Sequence, residues 1–179
     1  MRLIEGQKAK DFSTSDIFGN EIILENFKGK KILLSFYRYA SCPLCNLRVS
    51  ELIDQDAYFK EEGLELLAIF QSPKDRILEY VGKQNTPFSI IADPEQRLYN
   101  LYGVEISGLG LIRALFKPGK FKEALNKGFH TGTMEGPKTR IPADFIIGEN
   151  GIILKAYYGK DIGDHMPIEM IKEVIDTVK

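Results

Sequence analysis

Runs of consecutive apolar residues recur along the chain and alternate with stretches in which apolar residues fall at three- and four-residue intervals. The apolar runs are Ile32–Tyr37, Leu64–Phe70 and Phe88–Ala92. Uninterrupted runs of this length are typical of strands that are covered on both faces. Helical spacing follows each run, at Val49, Leu52, Ile53 and Ala57, then at Ile77, Leu78 and Val81, then at Leu98, Leu101 and Tyr102. This βαβα order predicts an α/β fold with helices on both faces of a central sheet.

Two further pairs of short apolar stretches are each joined by a turn signal, Gly19-Asn20 near the start and Glu149-Asn150-Gly151 near the end. Such pairs predict β-hairpins. The flanking strands are Phe12–Ser15 with Glu21–Leu24, and Ala143–Ile147 with Ile152–Tyr157. After the second hairpin, Pro167 begins an amphipathic helix that closes the chain.

Residues 104–141 interrupt this alternation. Leu109–Phe116 and Phe121–Leu125 predict two short helices, and residues 128–140 then hold three glycines and Pro137 with no regular pattern. A long irregular segment in a compact domain is usually functional or mobile. We therefore predict one domain over residues 1–179 with an insert at 104–141, in which residues 128–140 are a candidate substrate lid and His130 is a surface residue.

Composition limits the classes of function. Apolar residues make up 44% and charged residues 27%, which indicates a globular chain. The net charge is −1, with 24 basic and 25 acidic residues, and no basic run with interleaved aromatics points to nucleic acid or an anionic membrane. The N-terminus lacks an apolar signal core, and no stretch approaches the ~20 apolar residues of a membrane span. We expect a cytoplasmic protein whose cysteines are reduced between turnovers.

The only two cysteines, Cys42 and Cys45, lie where the first apolar run gives way to a helical segment. A strand, a short turn and Cys-x-x-Cys at the start of a helix, within alternating strands and helices, are typical of a thioredoxin-like redox site. We predict that these two thiols form a catalytic dithiol.

The thiolate is the reactive species, and a free thiol is only a few per cent thiolate at neutral pH. Pro43 suits the first helical position, so Cys42 is expected to face the free N–H groups of the helix start. Lowering a pKa of ~8.5 to about 7 takes ~2 kcal/mol, whereas a helix start supplies ~0.3–1 kcal/mol. Arg38, four residues before Cys42, is the candidate cation that adds the rest. Cys45, one turn inside the helix, is expected to be less exposed and to close a disulfide onto Cys42.

Three other roles for the cysteines were weighed. A structural disulfide over so small a loop would add only about 2 kcal/mol, against ~4–5 kcal/mol for a long loop. Zinc needs four ligands, and the only histidines, His130 and His165, are single and far apart. An inert role in the core also remains possible for the two cysteines, because free cysteine packs well there.

Asp93 and Asp164-His165 are interpreted as cap or loop residues rather than as catalytic or metal groups.

Several stretches, in this order and at this spacing, resemble the alkyl hydroperoxide reductase C / thiol-specific antioxidant (AhpC/TSA) family, the peroxiredoxin-like branch of the thioredoxin superfamily. They are Gly6–Phe12, Gly19-Asn20, Phe27–Lys30, the strand into Cys42, Ile91–Pro94, Leu101–Val104 and Pro142–Gly151. The resemblance implies a thioredoxin-like fold: a central mixed sheet flanked by helices, an N-terminal hairpin extension and a helical insert before the last two strands. Residues 104–141 lie outside the match.

Some positions depart from the family pattern. The family usually carries a threonine three residues before the attacking cysteine and a proline seven before it, where this chain has Tyr39 and Ser35. Pro142 replaces an arginine of the family's Phe-Ile-Ile strand, and the nearest arginine is Arg140. A proline at this point instead resembles the one that thioredoxins and disulfide reductases hold in cis, and an X–Pro bond prefers trans by only ~0.5–1 kcal/mol.

These observations predict a thiol-dependent antioxidant oxidoreductase that cycles Cys42 and Cys45 between dithiol and disulfide, with Arg38, Ser41 and Pro142 as supporting or substrate-facing residues. The substrate is a hydroperoxide, with a protein disulfide as the alternative, and a thioredoxin-type or other dithiol donor restores the thiols. No metal or organic cofactor is required. A non-catalytic binding module of the same fold is the third alternative. The chemistry requires that a reactant can reach Cys42.

A homodimer is compatible with this sequence. The insert and the aromatic residues Tyr37 and Tyr39, which are expected to be exposed, are the candidate dimer surface.

Overall fold

The structure is a computed structural model that describes residues 1–110 and 118–178. Its strands in these ranges are β1 (Ser13–Ser15), β2 (Glu21–Ile23), β3 (Lys31–Phe36), β4 (Leu64–Phe70), β5 (Ser89–Ala92), β6 (Ala143–Ile147) and β7 (Ile153–Tyr158). The first two form an antiparallel hairpin, as predicted, and the other five form one sheet in the order β5-β4-β3-β6-β7. The sheet is mixed, because β3 runs parallel to β4 and antiparallel to β6.

The helices in the described residues are α1 (Pro43–Asp54), α2 (Asp56–Glu61), α3 (Lys74–Glu79), α4 (Arg97–Leu101), α5 (Pro118–Asn126) and α6 (Ile168–Thr177). One helix was expected after Cys42, but Gln55 ends α1: its N–H bonds to the carbonyls of Leu52 and Ile53, which tightens the last turn. The predicted helix over Leu109–Phe116 lies largely outside the described residues, and the one at Phe121–Leu125 is observed as α5.

The two faces of the sheet carry separate cores. Consecutive side chains of a strand point to opposite faces, so Leu33 joins the core beneath α1, α2, α3 and α6, while Leu34 joins the core beneath the N-terminal segment and α4. All six residues of β3 are buried. The predicted coverage of both faces is confirmed.

Asp93 has the capping role expected from the sequence. Its carboxylate accepts the backbone N–H groups of Arg97 (3.0 Å), Leu98 (2.8 Å) and Tyr99 (3.3 Å) at the start of α4. Ser72, which precedes α3, makes no capping bond to that helix, and its hydroxyl accepts the N–H of Ala40 in the cysteine-bearing loop.

The topology gathers several loops at one edge of the sheet. Because β3 and β4 are parallel, the residues that follow them, from Tyr37 and from Gln71 onward, emerge at the same edge. Register pairs Ala143 with Phe36, so Pro142 lies beside the end of β3. None of the helices described is both long and apolar enough to cross a membrane.

Candidate active site

Cys42 is the N-cap residue of α1, as predicted. Pro43 occupies the first turn, and the Cys42 thiol accepts the backbone N–H of Cys45 at 3.4 Å. The Cys42 carbonyl accepts the N–H of Asn46 at 3.0 Å, the first bond of the helix. Both cysteines are free thiols. The free N–H groups of a helix start favour an anion, so this position favours the thiolate of Cys42.

Arg38 is the cation at Cys42. Its Nη1 lies 3.6 Å from Cys42 Sγ, and its guanidinium lies over the Tyr39 ring at 4.9 Å from the ring centroid. The other terminal nitrogen donates to the carbonyl of Lys138. Arg38 is 4% exposed, so its charge is only weakly screened by water.

The two thiols have opposite pKa shifts. Burial raises the pKa of Cys42, but the hydrogen bond from the Cys45 thiol, the charge of Arg38 and the Cys45 N–H together lower it to about 7. The pKa of Cys45 is raised well above its ordinary value by burial, by its hydrogen bond to Cys42 and by the negative charge there. The thiolate, which is the attacking form of a cysteine, is therefore favoured at Cys42, and the protonated thiol is favoured at Cys45.

Side-chain hydrogen bonds fix the turn that carries Cys42. The hydroxyl of Ser72 accepts the N–H of Ala40 at 2.8 Å, and Asn46 Nδ2 donates to the carbonyls of Ala40 (2.7 Å) and Cys42 (3.0 Å). Asn46 is held in turn by Gln84, whose Nε2 donates to Asn46 Oδ1 at 2.9 Å. No pattern in the sequence singles out Asn46, because its partners are defined only once the turn is folded.

Both sulfurs are buried: Cys42 is 1% and Cys45 2% exposed. The expectation that Cys42 would be the more exposed of the two is wrong. Residues 131–138 of the insert, here called the covering segment, lie over the loops that follow β3 and β4.

Four side chains of the site bind this covering segment. Gln71 Nε2 donates to the carbonyl of Glu135 at 2.6 Å, and Ser72 Oγ donates to the Glu135 carboxylate at 2.6 Å. Ser41 Oγ donates to the carbonyl of Thr133 at 2.6 Å, and Arg38 donates to that of Lys138. The bonds reach along the segment from residue 133 to residue 138, so the segment is attached at several points to the loops that follow β3 and β4.

The other predicted residues have clear positions. Ser41 is buried and its hydroxyl is used by the covering segment. Pro142 is buried and its carbonyl accepts the N–H of Gly159 at 2.9 Å; no peptide bond in the described part of the chain is cis, so the one before Pro142 is trans. Tyr37 and Tyr39 are 0% and 3% exposed, so the expected dimer surface at these two aromatics is wrong.

Arg140 takes no part in the contacts at Cys42. Its Nη1 donates to the carbonyl of Val104 at 2.7 Å, Nε donates to Gln71 Oε1 at 3.3 Å, and Nη2 donates to the side chain of Gln96. The guanidinium also lies 4.8 Å from the centroid of the Tyr99 ring. Arg140 therefore anchors the end of the insert to the domain, and Arg38 is the arginine that meets the thiol.

A buried polar pair that was not predicted from the sequence lies near β3 and α1. Asp144, on β6, and His165, before α6, are joined by a 3.0 Å contact between His165 Nδ1 and the carboxylate. Asp144 was visible in the sequence as a charged residue inside the apolar run Ala143–Ile147, but its partner is 21 positions away and could not be identified.

His130, by contrast, is exposed as predicted. No group of three or more residues in the described ranges could hold a metal ion.

A dithiol at the start of the first long helix, beside the end of a central strand, defines a thiol-dependent oxidoreductase of thioredoxin-like fold. The family model described as "AhpC/TSA family" matches residues 5–156. The chain belongs to the AhpC/TSA family.

Related proteins agree with this assignment. The chain is 24% identical over 165 residues to a Mycobacterium tuberculosis protein provisionally named a peroxiredoxin, covering 92% of this chain and 91% of the relative. It is 28% identical over 130 residues to the thiol-disulfide oxidoreductase ResA of Geobacillus thermodenitrificans, covering 72% and 70% of the two chains. The crystal structure of the peroxidoxin BcpB from M. tuberculosis superposes with a TM-score of 0.70 at 14% identity, over 99% and 97% of the two chains, which confirms the fold.

Proposed function

We propose that this protein is a thiol peroxidase in which Cys42 reduces a hydroperoxide and Cys45 resolves the product. The observation that carries the proposal is the setting of the Cys42 sulfur, which accepts a helix N–H and lies 3.6 Å from the Arg38 guanidinium. Family membership and the relatives named as peroxiredoxins support peroxide as the substrate.

In the first step, the Cys42 thiolate attacks the terminal oxygen of the hydroperoxide. The O–O bond breaks, Cys42 becomes a sulfenic acid, and the remaining oxygen leaves as an alcohol after it takes up a proton. Negative charge moves from sulfur to the departing oxygen during this step. Arg38 is placed to stabilise that charge, because it is buried and already faces the sulfur. It would thereby take over the role that the family assigns to an arginine where this chain has Pro142.

In the second step, the sulfur of Cys45 attacks the sulfur of Cys42. A Cys42–Cys45 disulfide forms and the sulfenic oxygen leaves as water. The two residues lie three apart in the first turn of α1, where side chains are neighbours, so the disulfide needs little rearrangement. An external dithiol of the thioredoxin type then reduces the disulfide. We propose the cytoplasm as the compartment, because a reducing environment maintains this donor.

We further propose that the covering segment is the substrate lid predicted from the sequence. In this proposal the covering segment limits access to Cys42, which is 1% exposed, and a hydroperoxide reaches the sulfur when the segment moves. Its bonds to Ser41 and Gln71 are neutral and worth ~0.5–1.5 kcal/mol each, whereas those that involve Arg38 and the Glu135 carboxylate are charge-assisted and worth ~1.5–3 kcal/mol each. Opening of the lid breaks these bonds in each turnover.

Mass spectrometry after one equivalent of hydrogen peroxide tests the proposal. We expect the intact chain to lose two hydrogens, localised to the peptide that contains Cys42 and Cys45. In Cys45→Ser, Cys42 should stop at the sulfenic acid and be trapped by a dione reagent. Cys42→Ser should consume no peroxide. If the wild-type thiols do not react with peroxide, the proposal is wrong.

Disulfide exchange is the second candidate, and it is favoured by the Cys-x-x-Cys spacing and by the similarity to ResA. The same dithiol would then attack a protein disulfide and pass through a mixed disulfide that Cys45 resolves. Peroxide consumption and protein-disulfide reduction, measured under one dithiol recycling system, separate the two. The peroxidase proposal predicts that the first reaction is the faster.

A further inference from the structure

The covering segment is bound to the rest of the domain in the way that a peptide ligand is bound. Residues 129–135 form no helix, strand or turn, and no backbone-to-backbone hydrogen bond from elsewhere in the described ranges reaches residues 130–136. The hydrogen bonds come instead from four buried side chains, here called the anchoring site, which are those of Arg38, Ser41, Gln71 and Ser72. The anchoring site belongs to the two loops that follow β3 and β4, so other parts of the fold supply the surface on which the segment lies.

Most of the contacts at the anchoring site are made to the peptide backbone. Within the covering segment, Arg38, Ser41 and Gln71 donate only to main-chain carbonyls. The acceptors are the carbonyl oxygens of Thr133, Glu135, Pro137 and Lys138. Every polypeptide carries such carbonyls. These three side chains therefore recognise a backbone and not a particular sequence.

One contact recognises a side chain. The Ser72 hydroxyl accepts the N–H of Ala40 at 2.8 Å, so its own hydrogen is free to be donated to the Glu135 carboxylate at 2.6 Å. Arg76 Nε lies 3.8 Å from the other carboxylate oxygen, which makes no hydrogen bond within the described residues. A hydroxyl donor and a nearby cation favour an acidic side chain at this point of the bound chain.

Two glycines allow the segment to approach this surface closely. Gly136 has a φ of +68°, which residues with side chains rarely adopt, and a Cβ there would lie 2.9 Å from Gln71 Cδ. A Cβ on Gly132 would collide with the Tyr80 hydroxyl. The chain that fits the anchoring site therefore has the pattern Gly-x-x-Glu-Gly, which residues 132–136 carry.

Partners outside the covering segment hold the anchoring site in position. Gln71 Oε1 accepts Arg140 Nε at 3.3 Å, which fixes the orientation of the Gln71 amide, and Arg38 Nη1 lies 3.6 Å from Cys42 Sγ. When the segment moves, these donors stay directed at the place that it has left. Water can pair with each donor singly. A second chain pairs with all of them at once, and preorganised donors reduce the cost of ordering it.

We propose that the anchoring site binds a polypeptide segment of the dithiol donor, with an acidic residue at the position of Glu135, and that the covering segment competes with it for this site. The use of the site by the donor rests on the proposed peroxidase cycle and deepens its last step. The donor is a protein in this inference, because the anchoring site recognises successive carbonyls of a peptide chain. The covering segment thus serves as an internal competitor of the donor as well as a lid.

A segment on the anchoring site is well placed for the exchange reaction, because Ser41 precedes Cys42 in the chain and Arg38 faces its sulfur. The donor thiolate attacks the Cys42 sulfur of the disulfide, and Cys45 leaves as a thiolate and takes up a proton. The second thiol of the donor, as its thiolate, then displaces the Cys42 thiolate. The donor ends as a disulfide, and Cys42 and Cys45 end as the reduced pair.

A synthetic peptide with the sequence of residues 131–137, capped at both ends, tests the site by ligand-observed NMR titration of the reduced protein. The tethered segment competes at an effective concentration of roughly 1 mM, so the full chain with Glu135→Ala is used beside the wild type. We expect the variant to bind the peptide at least threefold more tightly than the wild type. The control is the same peptide with Glu135→Ala, which should bind the variant at least threefold more weakly. Equal affinity for the two peptides, or no binding by either protein, overturns the inference.

A second peptide tests the use of the site by the donor. It carries Met134→Cys, between the two anchored residues Thr133 and Glu135, and it is reacted with the wild-type protein after diamide has formed the Cys42–Cys45 disulfide. Its initial rate is divided by its rate with oxidised glutathione, which corrects for the reactivity of the thiol itself. We expect this ratio to exceed that of a scrambled peptide of the same composition at least fivefold, and equal ratios overturn the role in donor binding.

Neither measurement uses peroxide, so the two proposals can fail separately. If both peptides behave as expected and peroxide does not oxidise Cys42, the anchoring site stands as a peptide site and the peroxidase proposal is wrong. If peroxide oxidises Cys42 and the peptides show no preference, this inference alone is wrong.

Discussion

Arg38 and Cys42 face each other across the turn that joins β3 to α1, with Nη1 3.6 Å from Sγ. The same guanidinium donates to the carbonyl of Lys138 in the covering segment. One buried side chain thus contacts both the reactive sulfur and the segment that closes over it. The charge state of Cys42 and the position of the covering segment are therefore coupled through Arg38.

Replacing Arg38 should weaken the thiolate. In Arg38→Met, we expect the pKa of Cys42 to rise by about one unit or more, equivalent to about 1.4 kcal/mol, because burial is then opposed only by hydrogen bonds. Titration of the thiolate by its ultraviolet absorbance measures the change. Arg97→Met, which removes an exposed arginine, should leave the titration unchanged. An unaltered Cys42 pKa in Arg38→Met would show that the hydrogen bonds from Cys45 set it without Arg38.

The reactivity of Cys42 should follow its own ionisation. Since the pKa of Cys42 is about 7, its rate of alkylation by iodoacetamide should rise from pH 6 to pH 8 and level off above that range. Cys45, whose pKa is raised, should react slowly throughout. Peptide mapping of the alkylated protein distinguishes the two sites, and faster labelling of Cys45 would contradict the assignment.

The covering segment should be loosened by removing one of its attachments. Glu135→Ala loses the bond from Ser72 and the ion pair with Arg76, whose atoms lie 3.8 Å apart. We expect a bulky maleimide to label Cys42 about threefold to tenfold faster, the scale of one hydrogen bond. Glu123→Ala, on the exposed side of α5, is the matched control. Equal labelling rates in all three proteins would mean that this segment does not limit access.

Replacing Arg140 should lower the free energy of unfolding without changing the pKa of Cys42. Arg140→Met removes donors from Val104 and Gln71 and leaves those buried acceptors unpaired, so we expect unfolding in urea to require ~2–3 kcal/mol less free energy. The pKa of Cys42 should stay near 7, because no contact joins the two residues. A raised Cys42 pKa in Arg140→Met, with little loss of stability, would assign Arg140 to the site instead of Arg38.

The comparison of sequence with structure is clearest at the arginines. Arg38 was predicted as the cation beside the Cys42 thiolate because it stands four residues before Cys42, whereas Arg140 was only the arginine nearest to Pro142, the family's arginine position. The structure places Arg38, and not Arg140, at Cys42. Arg140 lies almost a hundred residues from Cys42, and its position depends on where the insert returns to the sheet.

The sequence by itself determined the features that depend on near neighbours in the chain. The strand into Cys42, the placement of Cys42 as a helix cap, the cap at Asp93 and both hairpins follow from local patterns, because backbone hydrogen bonds and turns are made between residues a few positions apart. The layered fold followed as well, since the order of strands and helices leaves few ways to bury their apolar faces.

Only the tertiary structure decided what surrounds the sulfurs. The covering segment lies about ninety residues after Cys42 in the chain, and it is held against the loop of Cys42 by bonds such as that from Ser41 to Thr133. The pairing of Asp144 with His165 depends on the packing of β6 against the loop before α6. No pattern of nearby residues records these contacts, because each depends on how separate elements pack against one another.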